Sequence, residues 1–261
     1  MIKFISLLLR HRHAVQIQFW VNIKTTVATT RLGPLWWILD PLLLMAIYTF
    51  VIRIVFERGG PDYHIFALCG IVSWQSFSRS FTLSASSLRS NASLIRQSFL
   101  PLEIYVFIPS IVQSFFYIAG LFIICIWRYD LIGIHTFAMP LLLLPLIFLS
   151  FGLGLFFSIL EVYLPDTAKF LPYILRLGFY VTPILYSVDR IYSLTGVPDF
   201  FKLIYTLNPL VHIITFVRDI FFVGQMFNVS QYLILLCLIG ILVQVGLCFF
   251  RHYSSDIAKS L

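Results

Sequence analysis

Residues 31–56, RLGPLWWILDPLLLMAIYTFVIRIVF, open on one arginine and then run apolar, interrupted by Asp40 and Pro41. A bilayer's hydrocarbon core, about 30 Å thick, needs about 20 such residues in a helix, so this stretch reads as a first membrane span with a marked entrance. Arg31 suits the lipid head groups, and Trp36 and Trp37 suit the interface, where an indole buries its ring and keeps its N–H wet. Everything upstream is then a basic flank on one side of the membrane.

Composition agrees with that constraint. Of 261 residues 60% are hydrophobic and 11% charged, whereas soluble domains carry about 25% charged residues. The 27 Phe and 13 Tyr exceed what two interfacial belts need, so some rings are expected along an internal path. The net charge of +7 reads as Lys and Arg held on the cytoplasmic side, not as a nucleic-acid surface. Cys69, Cys125, Cys237 and Cys248 lie in apolar runs with no CxxC spacing, and are expected to be small core residues and not disulfides or metal ligands. No small-residue cleavage site follows the first thirty residues, so no removable signal peptide is expected.

Along the chain, residues 1–30 form no clean span, and Phe4, Leu7, Leu8, Val15 and Phe19 fit an amphipathic helix at the cytoplasmic surface; a frayed basic tail is the alternative. A second span over residues 65–83 is crowded by Ser73, Gln75, Ser76, Ser78, Arg79 and Ser80, so Arg79 is expected to face protein, a wet path or the interface. Residues 84–101 read as a basic loop containing a short helix, whose Arg89, Ser90, Leu94, Ile95 and Arg96, with Phe99 and Leu100, look like a docking surface more than a solvated connector. Spans follow at 102–127 and 137–160, the latter with Gly152 and Gly154 as seats for a neighbouring helix, and then a turn over 161–169. A short fifth span, 170–186, is broken by Pro172, Gly178 and Pro183 and holds Arg176 among Tyr173, Phe179, Tyr180 and Tyr186. Arginine and aromatic rings can hold sugar or phosphate groups; pairing of Arg176 with Asp166 or with a helix C-terminus is the structural alternative. Residues 187–228 read as a re-entrant hairpin of two short helices, with Asn208 capping a helix that Pro209 opens, since 210–223 is too short to cross. The last span is 232–250.

Placing both termini inside puts ten basic residues in the cytoplasm (Lys3, Arg10, Arg12, Lys24, Arg31, Arg89, Arg96, Lys169, Arg251, Lys259) and six outside, which favours six spans with both ends in. The expected fold is all-α, a polytopic membrane protein with six transmembrane helices, an N-terminal amphipathic interface helix and a re-entrant helical hairpin before the last span. Its parts are a cytoplasmic segment 1–30, a transmembrane domain 31–251 and a cytoplasmic tail 252–261. No phosphate loop, metal-ligand cluster or nucleophile motif occurs. The chain is therefore expected to be no enzyme and to need no cofactor; work against a gradient would need energy from another subunit.

The run Arg31-Leu32-Gly33-Pro34-Leu35-Trp36 followed by Pro41, then Tyr180-Val-Thr-Pro183-Ile-Leu-Tyr186, then Asn208-Pro209-Leu-Val-His212 with Arg218, resembles ABC-2 type permeases that export cell-surface polysaccharides. It departs from them at Asp40, where capsule exporters often carry glutamate, and over 161–166, which leaves the polymer open. The resemblance implies a homodimer with a channel at its interface, in the bacterial inner membrane, clasped by two copies of an ATP-hydrolysing subunit and carrying a lipid-linked polysaccharide such as an O-antigen or capsule chain. It implies ATPase contact at Arg89, Ser90, Leu94, Ile95 and Arg96, and a sugar path along Tyr48, Tyr173, Arg176, Phe179, Tyr180 and Tyr186. The outer gate would hold Asn208, Pro209 and Arg218. A permease for a small lipophilic compound, or a membrane-embedded glycolipid transferase using Asp40, His64 or Glu161, are the other readings open at this point.

Overall fold

The computed structural model describes residues 2–28, 31–33, 35–97, 100–193 and 198–260. Pro34 of the entrance motif, Phe99 of the basic loop and residues 194–197 before the last span lie outside them, as does the side chain of Lys259. The described residues are mostly helical, with turns and short irregular connections and no strand among them.

The centre of the bundle is α4, Tyr63–Ser90, a 28-residue helix with 18 buried positions and a length of about 42 Å. Ser73, Ser80 and Ser84 are fully buried, with Ser76 and Ser87 nearly so. Spacings of three and four place these five on one helical face. Two of their hydroxyls are satisfied inside the helix, Ser73 donating to the Cys69 carbonyl at 2.8 Å and Ser87 to that of Ser84 at 2.7 Å, while the buried Ser80 hydroxyl has no hydrogen-bond partner among the described residues. Two reach across, Ser73 to the Tyr117 hydroxyl and Ser84 to the Ser110 hydroxyl, both at 3.2 Å. The polar half of this helix, which made it a poor candidate for a lipid-facing span, is thus what packs it inward.

Around α4 stand α6 (Leu102–Trp127) and α7 (Leu143–Tyr163). Where hydrocarbon on both sides removes the hydrophobic drive, close approach through small residues holds helices together. A Cβ on Gly154 would lie 2.6 Å from Ser84 Cβ, and one on Gly120 would lie 2.5 Å from Val72 Cγ1. Gly152 faces α12 (Val229–Ser260), where a Cβ would meet Val243 at 3.2 Å, and Gly246 returns the contact against the Gly152 carbonyl at 3.2 Å. The expectation that Gly152 and Gly154 seat neighbouring helices holds, with a different neighbour for each.

The first apolar run forms α3, Leu35–Thr49, which continues through Pro41 and then loosens into a π-helical stretch, Phe50–Val55. At the chain's start, α1 (Ile2–Arg10) and α2 (Arg12–Ala28) are two helices, not a frayed tail. Phe4 is drawn into the bundle, stacked on Phe151 at 4.8 Å and edge-on to Phe107 at 5.3 Å, while Ile23 packs against Ile104, Ile108 and Phe116. Arg251 Nε donates to Glu103 Oε1 at 3.1 Å, tying α12 to the start of α6. Chain start and chain end therefore lie at the same end of the bundle.

Several boundaries differ from the sequence reading. The basic loop is helical from its outset, because α4 runs on to Ser90 before the short α5, Ala92–Gln97. Glu161 lies on α7 and is buried instead of standing in a turn. The fifth apolar segment is one helix, α8 (Thr167–Val181), which tolerates Pro172 and Gly178 and stops only ahead of Pro183. The segment before the last span holds α9 (Val188–Ser193), α10 (Asp199–Leu207) and α11 (Pro209–Arg218) followed by a π-helical turn, Asp219–Val223, in place of two helices. Gly224, at φ +79°, closes that turn. As expected, Asn208 caps α11, its Oδ1 accepting from the Leu210 N–H at 3.0 Å. Cys237 and Cys248 are exposed on α12 and are not core residues, although Cys69 is.

Among the described residues, four helical stretches are long and apolar enough to cross a membrane: Leu35–Val55, Leu102–Trp127, Ile134–Tyr163 and Val229–Ser254. The third includes the 3-10 turn Ile134–Leu142 ahead of α7. Replacing Gly154 with Val should lower stability by about 1–3 kcal/mol, read as a lower thermal midpoint in detergent. Gly60→Ala should not, since a Cβ there meets nothing within 4 Å; equal midpoints for the two variants would contradict the packing described.

Candidate functional site

One side of α4 is left to a groove. Gln75, Ser78, Arg79 and Thr82 recur on the face away from the buried serines, and α3 and α8 flank them. The groove divides into two compartments of about 970 Å³ and 420 Å³, both lined by Tyr48, Phe179 and Tyr180. These three rings form its waist. Tyr48 of α3 stacks on Phe179 of α8 with centroids 5.5 Å apart at 27°, and Phe179 meets Tyr180 edge-on at 5.3 Å. Trp74 of α4 reaches Phe179 at 6.0 Å, and it can do so because Gly178 has no side chain: a Cβ there would be 2.7 Å from the indole.

The larger compartment opens toward the α3–α4 turn and is lined by Phe66, Phe222 and Tyr186 with Arg58 and Arg190 at its mouth. Tyr186 is fixed by its hydroxyl, which donates toward the Val181 and Tyr180 carbonyls at 2.8 and 3.0 Å. With its single proton so used, the Tyr205 hydroxyl 2.7 Å away donates to it, linking α10 to the end of α8. The smaller compartment is lined by Trp74, Gln75, Ser78, Arg79, Thr82 and Arg176 among others. Arg79 forms an ion pair with Asp40, so the acid that interrupts the first span and the arginine that interrupts the second meet between α3 and α4, both partly exposed.

Of the residues singled out from sequence, Tyr48, Phe179 and Tyr180 come together at the waist, Tyr186 joins the larger compartment and Arg176 the smaller. Tyr173 lines neither and is 63% exposed; its ring lies 5.8 Å from the Arg176 guanidinium carbon. The pairing of Arg176 with Asp166 is not made, because Asp166 pairs with Lys169 at 3.5 Å. Arg89, Ser90, Leu94 and Arg96 are exposed, while Ile95 packs partly against the core.

Asn208 and Pro209 open α11, whose other end carries Arg218. Its surroundings are a buried lock. Arg218 Nη1 donates to the Pro183 carbonyl at 2.8 Å and Nη2 to that of Ile184 at 2.7 Å, and the guanidinium lies 3.5 Å from the Phe66 ring centre. The turn after α8, α11 and the start of α4 are held by this one side chain. Trp74 and Gln75 were missed as site residues; Arg79, expected from sequence to face protein, a wet path or the interface, lines the smaller compartment, but its pairing with Asp40 was not foreseen, since nothing in the sequence pairs positions from different spans. The signal available was charge: an acid and an arginine in apolar runs require partners.

The ABC-2 type transporter family model matches residues 13–222. The chain is 28% identical over 246 residues, 92% of each chain, to an O-antigen export system permease protein RfbA of Klebsiella pneumoniae. It is 20% identical over 264 residues, the full length of both, to an O-antigen export system permease protein RfbA of Myxococcus xanthus. It is also 26% identical over 212 residues, 78% of this chain and 80% of the relative, to a polysialic acid transport protein KpsM of Escherichia coli.

Replacing Arg218 with Leu should cost about 2–4 kcal/mol, because it strands two buried carbonyls that accept from a charged donor. Arg218→Lys should not recover it, since one ammonium cannot serve both carbonyls and stack on Phe66. Thermal unfolding in detergent measures both, and an unchanged midpoint for Arg218→Leu would contradict the lock.

Proposed function

Because the chain belongs to the ABC-2 type transporter family, we propose that it is the membrane-spanning permease subunit of an ATP-driven exporter. It moves a lipid-linked cell-surface polysaccharide, an O-antigen or capsule chain, across the bacterial inner membrane. The observation that carries this reading is the aromatic waist shared by two joined compartments. Flat rings hold sugar faces through apolar contact and CH–π attraction without fixing one register, which suits a polymer that must slide. The relatives, O-antigen export and polysialic acid transport proteins, point to the same cargo.

On this reading the membrane is crossed six times, by the four long apolar stretches and by α4 and α8. The polar α4 is tolerated because its neighbours cover it, and α8, about 22 Å long, is completed by the turn that Arg218 holds. The helices α1 and α2 lie at the cytoplasmic interface as part of segment 1–30, both termini are cytoplasmic, and 252–261 forms the tail. The segment from α9 to Val223 is the re-entrant hairpin, with Asn208, Pro209 and Arg218 at the outer gate. Two copies of the chain face each other, so that the exposed Tyr173 joins Tyr48, Arg176, Phe179, Tyr180 and Tyr186 along the path. Two nucleotide-binding subunits dock at Arg89, Ser90, Leu94, Ile95 and Arg96, which lie at the end of the bundle that carries the termini. The chain itself hydrolyses nothing.

Export is tested by deleting the gene in its host and restoring it on a plasmid. Surface polymer should vanish and return. Phe179→Ala with Tyr180→Ala should cut polymer export about tenfold, the scale of one to two aromatic contacts, while the ATPase subunit still co-purifies. Reversing charge at Arg89 and Arg96 should leave the protein inserted and uncouple hydrolysis from export; normal surface polymer in that variant would remove the docking assignment.

A further inference from the structure

Charge is unevenly placed along this chain. The first acid is Asp40, so Lys3, Arg10, Arg12, Lys24 and Arg31 all precede any carboxylate. Lys3, Arg10, Arg12 and Lys24 stand exposed on α1 and α2, and none of them makes an ion pair among the described residues. By contrast Arg128 has Asp62 and Asp130 beside it, Lys169 has Asp166 and Lys202 has Asp199.

The same two helices carry an outward apolar row. Ile5, Leu9, Ile17, Trp20 and Val21 are 48–68% exposed. The His11 N–H donates to the Leu7 carbonyl and the Val15 N–H to the His11 carbonyl, each at 3.0 Å, so helical bonding continues across the junction of α1 and α2. Ile5, Leu9, His13, Ile17 and Val21, spaced by four, therefore form one ridge. Phe4 and Ile23 pack into the bundle from the other side and keep that ridge turned outward. Leu35 and Trp36, where the first span begins, are exposed as well.

An apolar ridge flanked by long cationic side chains fits the boundary between lipid head groups and acyl chains, where aliphatic stems lie in the apolar layer and charged tips reach the head groups. The cations extend about 32 Å from Lys3 to Lys24, and Arg10 and Arg12, two residues apart, leave the helix on different sides. Charge spread in this way does not converge on one ligand. It is matched by a surface of many mobile anions, which a leaflet supplies by diffusion and a folded partner would have to build along the whole length.

We propose that α1 and α2 dock on an anionic phospholipid leaflet, with the ridge from Ile5 to Val21 at the acyl boundary and Lys3, Arg10, Arg12 and Lys24 each drawing net-negative head groups. This rests on the part of the functional reading that lays these helices at the membrane interface, not on the cargo, and it adds the lipid class.

The test places the full-length chain in phosphatidylcholine nanodiscs containing an equal mole fraction of either brominated phosphatidylglycerol or brominated phosphatidylcholine, whose chains quench nearby indoles. The Trp20 signal is the difference between the wild type and Trp20→Phe. Phosphatidylglycerol should quench it about two- to fivefold more than phosphatidylcholine at low salt, since about 1 kcal/mol per surface cation corresponds to about fivefold enrichment. Brominated phosphatidylserine should match phosphatidylglycerol, and about 1 M sodium chloride, which confines charge effects to about 3 Å, should erase the difference. Combining Lys3→Gln, Arg10→Gln, Arg12→Gln and Lys24→Gln should erase it too, with an unchanged thermal midpoint in neutral detergent. Equal quenching by the anionic and zwitterionic lipids, or a preference that survives the four substitutions, overturns the proposal while leaving the helices in the membrane. A preference for phosphatidylglycerol over phosphatidylserine also overturns it, in favour of a shaped head-group site. If the four substitutions keep the lipid preference but release the ATPase subunit, the cations serve that subunit and the proposal fails. Quenching by no lipid takes α1 and α2 out of the bilayer, so the interfacial placement fails with it.

Discussion

A 28-residue helix with five serines buried along one side and Gln75, Ser78, Arg79 and Thr82 along the other has no face it can offer to lipid. That constraint on α4 organises the bundle. On the serine side it is met by contact: α6 and α7 come close enough that Gly120 and Gly154 could not carry a Cβ without displacing Val72 or Ser84, and the Ser73 and Ser84 hydroxyls reach Tyr117 and Ser110. On the other side it is met by a groove. The same helix thus requires a packed half and an open half, and the open half is where aromatic and charged residues of three helices collect.

Much of the architecture was readable because lipid leaves so few choices. The apolar run over 102–127 coincides with α6, and the Asn208–Pro209 pair begins α11 as local capping chemistry requires. What failed did so at places where a strong local signal met a tertiary answer. Polar residues after Ser84 read as loop, yet α4 stays helical to Ser90 because its serines return their hydroxyls to carbonyls three or four residues earlier and so compete little with the helix. Pro172 and Gly178 read as breaks in α8. Gly178 instead makes room for Trp74, and the break falls at Pro183, where Arg218 takes up the carbonyls of the turn.

The groove was half legible. An arginine among aromatic rings in the fifth span pointed to Phe179, Tyr180 and Arg176, and the family resemblance added Tyr48. The pair of Asp40 and Arg79 was not legible as a pair, since 39 positions separate them and either could have answered to backbone, water or another helix. Arg218 entered only through the family resemblance, as an outer-gate residue; in the fold it is 7% exposed and donates to the carbonyls of Pro183 and Ile184, far away in the chain.

The placement of these groups on α4 also bears on how a push at one end could reach the cargo. Arg79 and Arg89 lie ten residues apart on one unbroken helix, about 15 Å along its axis. Nothing between them can absorb a displacement by bending, because Ser80, Ser84, Ser87 and Leu88 are packed against neighbouring helices. Under the export reading, force applied where α4 gives way to α5 therefore moves α4 with its packed partners as a unit, since close-packed interiors transmit displacement instead of dissipating it. The loosely wound part of the structure lies elsewhere, in α3, whose Pro41 leaves one carbonyl without its helical donor and whose far end is π-helical. Relative movement across the groove is then borne by α3, with the Asp40–Arg79 pair as the link that must be kept or broken when it shifts.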